Sequence, residues 1–186
     1  MHIVVIAGSN REGALSRALA TALAERYRQR HTLEVSLLDL ADLPSELLQP
    51  SAYAEKPAAY RTFADTVLAA DGLHVVTPEY NGGMPGVLKL FIDHLPFPAA
   101  FERRPVCFTG VAAGRWGALR PVEQLQGVFG YRNAYQLPER VFVDRIGAVL
   151  GEDGWPKDPA LIQRLDRQMD HFVDFCTALL PLRDTR

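Results

Sequence analysis

Residues 8–16 carry the side chains of this sequence that are best suited to bind a charged ligand. Their sequence, Gly-Ser-Asn-Arg-Glu-Gly-Ala-Leu-Ser, lies between an apolar run at residues 3–7 and the start of a helical pattern. Loop N–H groups, hydroxyls and a helix N-terminus together favour a bound phosphate, and Arg11 adds a full charge with a bidentate fork. The candidate ligand contacts in this loop are Ser9, Asn10, Arg11, Leu15 and Ser16.

This first loop matches neither of the two common phosphate-binding sequences. It lacks the terminal Gly-Lys-Ser/Thr of a nucleotide-hydrolysing P-loop and the G-x-G-x-x-G spacing of a dinucleotide fold. Hydroxyls and one arginine suit a terminal monophosphate better than a buried pyrophosphate. An ordinary helix start, with Ser9 or Asn10 as the N-cap, explains the same residues, so the segment alone leaves both interpretations open.

Two further loops follow apolar runs and carry groups suited to a planar ring. Residues 77–86 contain two prolines and three glycines, and residues 110–117 are small and glycine-rich. Arg115 is a candidate for attracting the phosphate of a pyridine nucleotide and Trp116 for a wall of the substrate pocket; a surface arginine and a packing aromatic are the alternatives. A monophosphate socket beside ring-binding loops favours flavin mononucleotide (FMN) over a sugar phosphate. The candidate ring contacts are Pro78, Glu79, Tyr80, Asn81, Gly82, Ala113 and Gly114.

Alternating apolar runs and helical patterns indicate an α/β fold with a five-stranded parallel sheet and helices on both faces. In such sheets ligands bind at the carboxyl ends of the strands, where the three loops would meet. Residues 44–57 are predicted to form a surface loop. The predicted strands are residues 3–7, 33–38, 72–77, 105–110 and 141–143, and the predicted helices are residues 14–30, 57–70, 87–95, 122–129 and 159–180.

The composition narrows the class of protein. With 186 residues, 48% of them apolar and 23% charged, the chain is expected to form one globular domain over residues 1–186. A net charge of −2 disfavours nucleic-acid binding, and no apolar stretch is long enough to span a membrane. Cys107 and Cys176 form neither a disulfide framework nor a zinc site, so we expect buried thiols in a cytoplasmic protein. His74 is expected to be a core residue.

The motifs resemble those of the NAD(P)H-dependent FMN reductase family, a flavodoxin-like group that includes quinone, azo-dye and chromate reductases. The resemblance rests on Gly-Ser-Asn-Arg-Glu-Gly-x-x-Ser at residues 8–16 and Pro-Glu-Tyr-Asn at residues 78–81. Pro-Gly-x-Leu-Lys at residues 85–89 and Ile-Asp at residues 92–93 extend it, and it covers nearly the whole chain. It implies a flavodoxin-like three-layer sandwich.

The resemblance also implies roles for individual residues and an assembly. Residues 78–82 are implied to line the isoalloxazine and ribityl groups, and the third loop to border the pyrimidine end of the ring around Ala113 and Gly114. Family members are usually homodimers or homotetramers with each flavin near a subunit interface. The implied phosphate contacts are Ser9, Arg11 and Ser16.

We therefore expect an FMN-dependent NAD(P)H oxidoreductase with ping-pong kinetics. NAD(P)H gives a hydride to FMN and leaves, and a small acceptor (a quinone, flavin, azo compound or metal oxyanion) takes the electrons without a side-chain acid or base. Two alternatives stay open. A flavodoxin-like electron carrier would dock to a protein partner, although the near-neutral charge disfavours it. A flavin-free sensory or interaction domain is left open by Ala14, where many family members carry serine.

Overall fold

The fold is built on one parallel sheet with the strand order β2-β1-β3-β4-β5. The computed structural model describes residues 1–183. The order changes direction between β1 and β3, which places the ligand crevice at the carboxyl ends of these two strands. The strands are β1 His2–Ala7, β2 Glu34–Asp39, β3 Gly72–Pro78, β4 Pro105–Val111 and β5 Tyr135–Val143. The helices are α1 Leu15–Arg30, α2 Arg61–Ala69, α3 Gly86–His94, α4 Leu119–Tyr131, α5 Ile146–Val149 and α6 Pro159–Arg183.

The central strands are apolar along their whole length because helices cover both faces of the sheet. Every residue of β3 and β4 is buried. Alternate residues of β1 face opposite layers: Val4 and Ile6 share a core with α2, α3 and α4, whereas Ile3, Val5 and Ala7 share one with α1 and α6. The flavodoxin-like α/β sandwich predicted from the sequence is confirmed.

A chain of four buried polar side chains connects α1, β3, β4 and α6. The Tyr27 hydroxyl lies 3.0 Å from His74 Nδ1, and His74 Nε2 lies 2.8 Å from the Thr109 hydroxyl. Thr109 donates to Gln168 Oε1 at 2.8 Å, so it accepts from His74, which in turn accepts from Tyr27. Burial lowers the pKa of His74 to about 3 and keeps the ring neutral, as befits a core residue.

The bounds of several elements differ from the sequence prediction. Cys107 and Cys176 are buried free thiols, as expected. Within residues 1–183, no helix is both long enough and apolar enough to cross a lipid bilayer. Three elements are longer than predicted: β5 begins at Tyr135, α4 begins at Leu119 and α6 extends to Arg183. The predicted helix at residues 57–70 divides into a 3-10 turn at Ala58–Tyr60 and α2. The predicted loop at residues 44–57 contains the 3-10 turns Ser45–Leu48 and Pro50–Tyr53.

Candidate functional site

Three loops meet at the carboxyl edge of β1, β3 and β4 and line a cavity of about 310 Å³. The loops come together because parallel strands all end at the same edge of the sheet. Of the residues predicted from the sequence, those that line this cavity are Arg11, Leu15, Ser16, Pro78, Glu79, Tyr80 and Ala113. The cavity also has lining residues that were not predicted to contact a ligand, namely Gly13, Ala14, Val111, Ala112 and Ile146.

The start of α1 is suited to hold an anion. Ala14 is the N-cap residue and makes no side-chain hydrogen bond, and no acidic residue lies in the first turn. The alternative prediction that Ser9 or Asn10 is the N-cap is therefore wrong, because the helix begins several residues later. Ser16 is buried, and its hydroxyl has no hydrogen-bond partner among the described residues. An anion at this helix end would satisfy both the first-turn amides and the Ser16 hydroxyl.

Ser9 joins the first loop to the second. Its hydroxyl accepts a hydrogen bond from the Arg11 amide at 3.1 Å and lies 2.6 Å from the Tyr80 hydroxyl. A serine hydroxyl accepts two hydrogen bonds and donates one, so donation by Tyr80 leaves the Ser9 proton available to a phosphate. The Ser9 side chain is buried and does not itself line the cavity.

The second loop closes in a tight hairpin that fixes Tyr80. The Tyr80 amide donates to the Gly83 carbonyl, and the Gly83 amide donates to the Tyr80 carbonyl, both at 3.0 Å. Asn81 and Gly82 occupy the two central positions with φ of 51° and 77°, the left-handed region that asparagine and glycine adopt most readily. The sequence Asn-Gly therefore explains this turn directly.

Helix α4 holds the second loop through two side chains that the sequence analysis did not identify. Arg120 donates to Glu79 Oε1 at 3.0 Å, and the Met84 amide donates to Gln124 Oε1 at 2.8 Å. The second Glu79 oxygen is buried without a hydrogen bond among the described residues. Arg120 also lies 6.0 Å from the centre of the Trp116 ring. The spacing of Arg120 and Gln124, four residues apart on one helix face, was the available signal.

The third loop is fixed by contacts with the end of β5. The Ala112 amide donates to the Val143 carbonyl at 3.0 Å, and the Ile146 amide donates to the Ala112 carbonyl at 3.0 Å. Gly117 has a φ of 54°, and a Cβ atom there would lie 2.8 Å from Phe142 Cβ. The positive φ and the close approach explain the glycine at position 117.

Besides the buried Ser9, six residues predicted to contact ligands lie outside the wall of this cavity. Asn10 lines a neighbouring cavity of about 530 Å³ that is shared with Gly86 at the start of α3. The others are exposed, and Trp116 retains 64% of its accessible surface. Their contacts with a cofactor or a substrate remain predictions. The six are Asn10, Asn81, Gly82, Gly114, Arg115 and Trp116.

Comparison with known proteins decides the family. Residues 1–148 match the sequence model of the NADPH-dependent FMN reductase family. The chain belongs to this family. The motif resemblance is thereby confirmed: the protein is an oxidoreductase with FMN as cofactor and NAD(P)H as co-substrate. The unpartnered Ser16 hydroxyl at an uncapped helix start fits the FMN phosphate.

Individual members of this FMN reductase family resemble the chain over most of its length. It is 30% identical over 164 residues to a 2-hydroxy-1,4-benzoquinone reductase from a Burkholderia species, which covers 82% of this chain and 87% of that protein. It is 28% identical to an NADPH azoreductase from Bacillus sp. strain OY1-2, over 94% of this chain and 96% of that protein. The flavoenzyme NAD(P)H:(acceptor) oxidoreductase FerB from Paracoccus denitrificans superimposes with a TM-score of 0.80 at 25% identity, covering 95% and 97% of the two chains.

Proposed function

We propose that this FMN reductase family member passes electrons from NAD(P)H to a small acceptor by a ping-pong mechanism. The acceptor class is a quinone, a flavin, an azo compound or a metal oxyanion. The supporting observation is the buried, unpartnered hydroxyl of Ser16 in the same cavity as the second-loop residues Pro78, Glu79 and Tyr80. When bound, FMN accepts a hydride and passes on two electrons, so the side chains need only bind, orient and exclude water.

In this proposal each loop has one task. Arg11 supplies charge for the phosphate, and Ser16 and the first-turn amides of α1 donate hydrogen bonds to it. Residues 78–82 hold the ribityl group and the ring. Ala113 and Gly114 border the ring, while Arg115 and Trp116 meet the pyridine nucleotide or the acceptor. Ser9, Asn10 and Leu15 complete the first-loop contacts.

Steady-state kinetics test the mechanism directly. We expect the FMN-loaded protein to oxidise NADPH or NADH with benzoquinone, FMN, an azo dye or chromate as acceptor, with no second protein added. Double-reciprocal plots at several acceptor concentrations should give parallel lines. Intersecting lines would overturn the ping-pong order, and no turnover with any acceptor, measured against free FMN as the control, would overturn the reductase proposal.

The assembly and location are part of the same proposal. Residues 1–186 act as one FMN-binding domain that forms a homodimer or homotetramer in the cytoplasm, with no nucleic-acid or membrane partner. Light scattering after size-exclusion chromatography measures the mass of the FMN-loaded protein. A monomer at micromolar concentration contradicts the proposed assembly, and recovery in the membrane fraction of lysed cells contradicts the proposed location.

A further inference from the structure

A second cavity lies at the far end of α3 from the cofactor loops. Its volume is about 370 Å³, and it lies between the C-terminal end of α3 and the start of α2. Helix α3 begins at Gly86, close to the second loop, and ends at His94, about 12 Å further along the helix axis. The two cavities share no lining residue, so a ligand of the second cavity can bind without touching the cofactor loops.

The side chain of His94 lines this second cavity with unmet hydrogen-bonding capacity. His94 is 3% exposed, and although the Leu47 backbone lies near enough to affect the pKa of the ring, neither ring nitrogen makes a hydrogen bond of good geometry among the described residues. Tyr53 stacks on the ring with centroids 4.4 Å apart, and Tyr60 meets it edge-on at 6.1 Å. Burying an imidazole that lacks hydrogen bonds is unfavourable, so a ligand that pairs with it recovers that loss.

The charged groups around the second cavity leave two cations, Lys56 and Arg61, without an ion pair among the described residues. Asp93 is already held by Lys89, whose Nζ lies 2.6 Å from Asp93 Oδ1. Lys56 is fixed at the rim, where its ammonium donates to the Ala52 carbonyl at 2.9 Å. Within residues 1–183, Arg61 forms no ion pair, although it lines the cavity. The local charge therefore favours an anionic ligand.

The protonation state of His94 limits the charge of that anion. Burial and the charge of Lys56 lower the pKa of His94, against smaller opposing effects of the Leu47 backbone and Asp93. The ring is therefore neutral at pH 7 and offers one N–H donor. Because two backbone carbonyls already hold the Lys56 ammonium, the Arg61 guanidinium and one neutral N–H donor remain to pair with a ligand, and they match a single carboxylate.

We propose that the cavity at the end of α3 binds a small organic monocarboxylate with an apolar body. The carboxylate pairs with the Arg61 guanidinium and accepts a hydrogen bond from a His94 ring nitrogen. The apolar body packs against the cavity wall formed by Ala64 and Leu95. The volume lies within the range of small-molecule sites.

Benzoate titration of the full-length, FMN-loaded protein tests this site without reference to turnover. We expect saturable shifts of the His94 imidazole signals in nuclear magnetic resonance spectra, with a Kd of about 1 mM or below. The pKa of His94 should rise when benzoate is bound, because a carboxylate stabilises the imidazolium. Arg61→Gln should weaken binding about tenfold or more, since a charge-assisted pair is lost. Arg164→Gln, an exposed arginine on α6 outside the cavity, is the matched control and should leave the Kd unchanged.

Three results would overturn the assignment. If the neutral analogue benzamide binds as tightly as benzoate, the negative charge of the ligand plays no part in binding. Inorganic phosphate that binds as tightly as benzoate removes the role of the apolar body. Unsaturable shifts, or equal affinities of the Arg61→Gln and Arg164→Gln variants, remove the site itself. Both arginines are exposed, so both variants are expected to fold, which circular dichroism checks.

Discussion

Replacing Ser16 with alanine should weaken FMN binding and at the same time stabilise the apoprotein. The hydroxyl is buried without a partner among the described residues, which costs the apoprotein about 1–3 kcal/mol. Removing it should raise the free energy of unfolding by about 1 kcal/mol, because the small void left by the oxygen offsets part of the gain. In the FMN complex, the same hydroxyl donates to a charged phosphate oxygen, which contributes about 1.5–3 kcal/mol.

The two effects are measured separately. Quenching of flavin fluorescence on titration of the apoprotein gives the Kd, which should rise about 10- to 100-fold in Ser16→Ala. Urea unfolding of the apoprotein gives the stability change. Ser51→Ala is the control, because Ser51 is exposed in the turn Pro50–Tyr53 and should change neither quantity. A less stable apoprotein with an unchanged Kd would refute the reasoning, since the hydroxyl would then have an internal partner and no phosphate.

Three further predictions concern the core and the loops around the cofactor cavity. Because the folded pKa of His74 (about 3) lies below its ordinary 6.5, its contribution to stability is present above pH 6.5 and declines as pH falls. Urea unfolding should show a loss of about 2 kcal/mol between pH 7 and about pH 5, and a smaller loss in His74→Phe. Gly117→Ala should lower the free energy of unfolding by about 2 kcal/mol, because its φ is 54° and the new Cβ would lie 2.8 Å from Phe142 Cβ. The control Gly127→Ala, in open space on α4, should raise the free energy of unfolding by up to about 1 kcal/mol. Thermal unfolding measures both changes. Tyr80→Phe removes a hydroxyl 2.6 Å from the first-loop serine and should raise the Kd for FMN about fivefold in the quenching titration, with the exposed Tyr131→Phe as the unaffected control.

Each of these predictions has a result that contradicts it. Equal pH dependence in the wild type and in His74→Phe would assign the acid sensitivity to other groups. Gly117→Ala as stable as Gly127→Ala would mean that the third loop rearranges at little cost. An unchanged Kd for FMN in Tyr80→Phe would mean that the hydroxyl contact between Tyr80 and Ser9 does not contribute to FMN binding.

Strand β5 shows how much of the fold the sequence predicts. The apolar runs place β1, β2, β3 and β4 to within one residue at each end. The runs are clearest in β3 and β4, which are buried along their whole length. β5 begins six residues before the predicted position at residue 141. Like β2 it is an edge strand, but it is longer, and its buried residues, such as Leu137 and Val141, are separated by half-buried and exposed ones, so it contains no continuous apolar run before residue 141. Pro138 is tolerated there because an edge strand leaves some amides unpaired.

The residues at the cofactor cavity also divide into those that the sequence predicts and those that it does not. Arg11 and Ser16 could be predicted because a loop motif and a helix start are local features of the sequence. Ile146, which lines the cavity, and Arg120, which donates to the lining residue Glu79, were missed because their contacts join segments far apart in the chain. The predicted start of α4 at residue 122 also excluded Arg120, although the helix begins at Leu119.

Buried polar groups fall into two classes in this protein, and the division marks its binding sites. Along the chain from Tyr27 through His74, every hydroxyl and ring nitrogen is paired, which is the usual state of polar groups in a core. Among the described residues, buried side-chain atoms without a hydrogen bond occur in Ser16, His31, Asp39, Glu79 and His94. The atoms in question of His31 and Asp39 still take part in ion pairs, with Asp170 and Arg17. The Glu79 oxygen does not, because Arg120 binds the other oxygen of that carboxylate. The three others all line cavities, Ser16 and Glu79 the cofactor cavity and His94 the cavity at the end of α3. Because this fold pairs its polar groups elsewhere, we infer that these three await ligands from outside the chain.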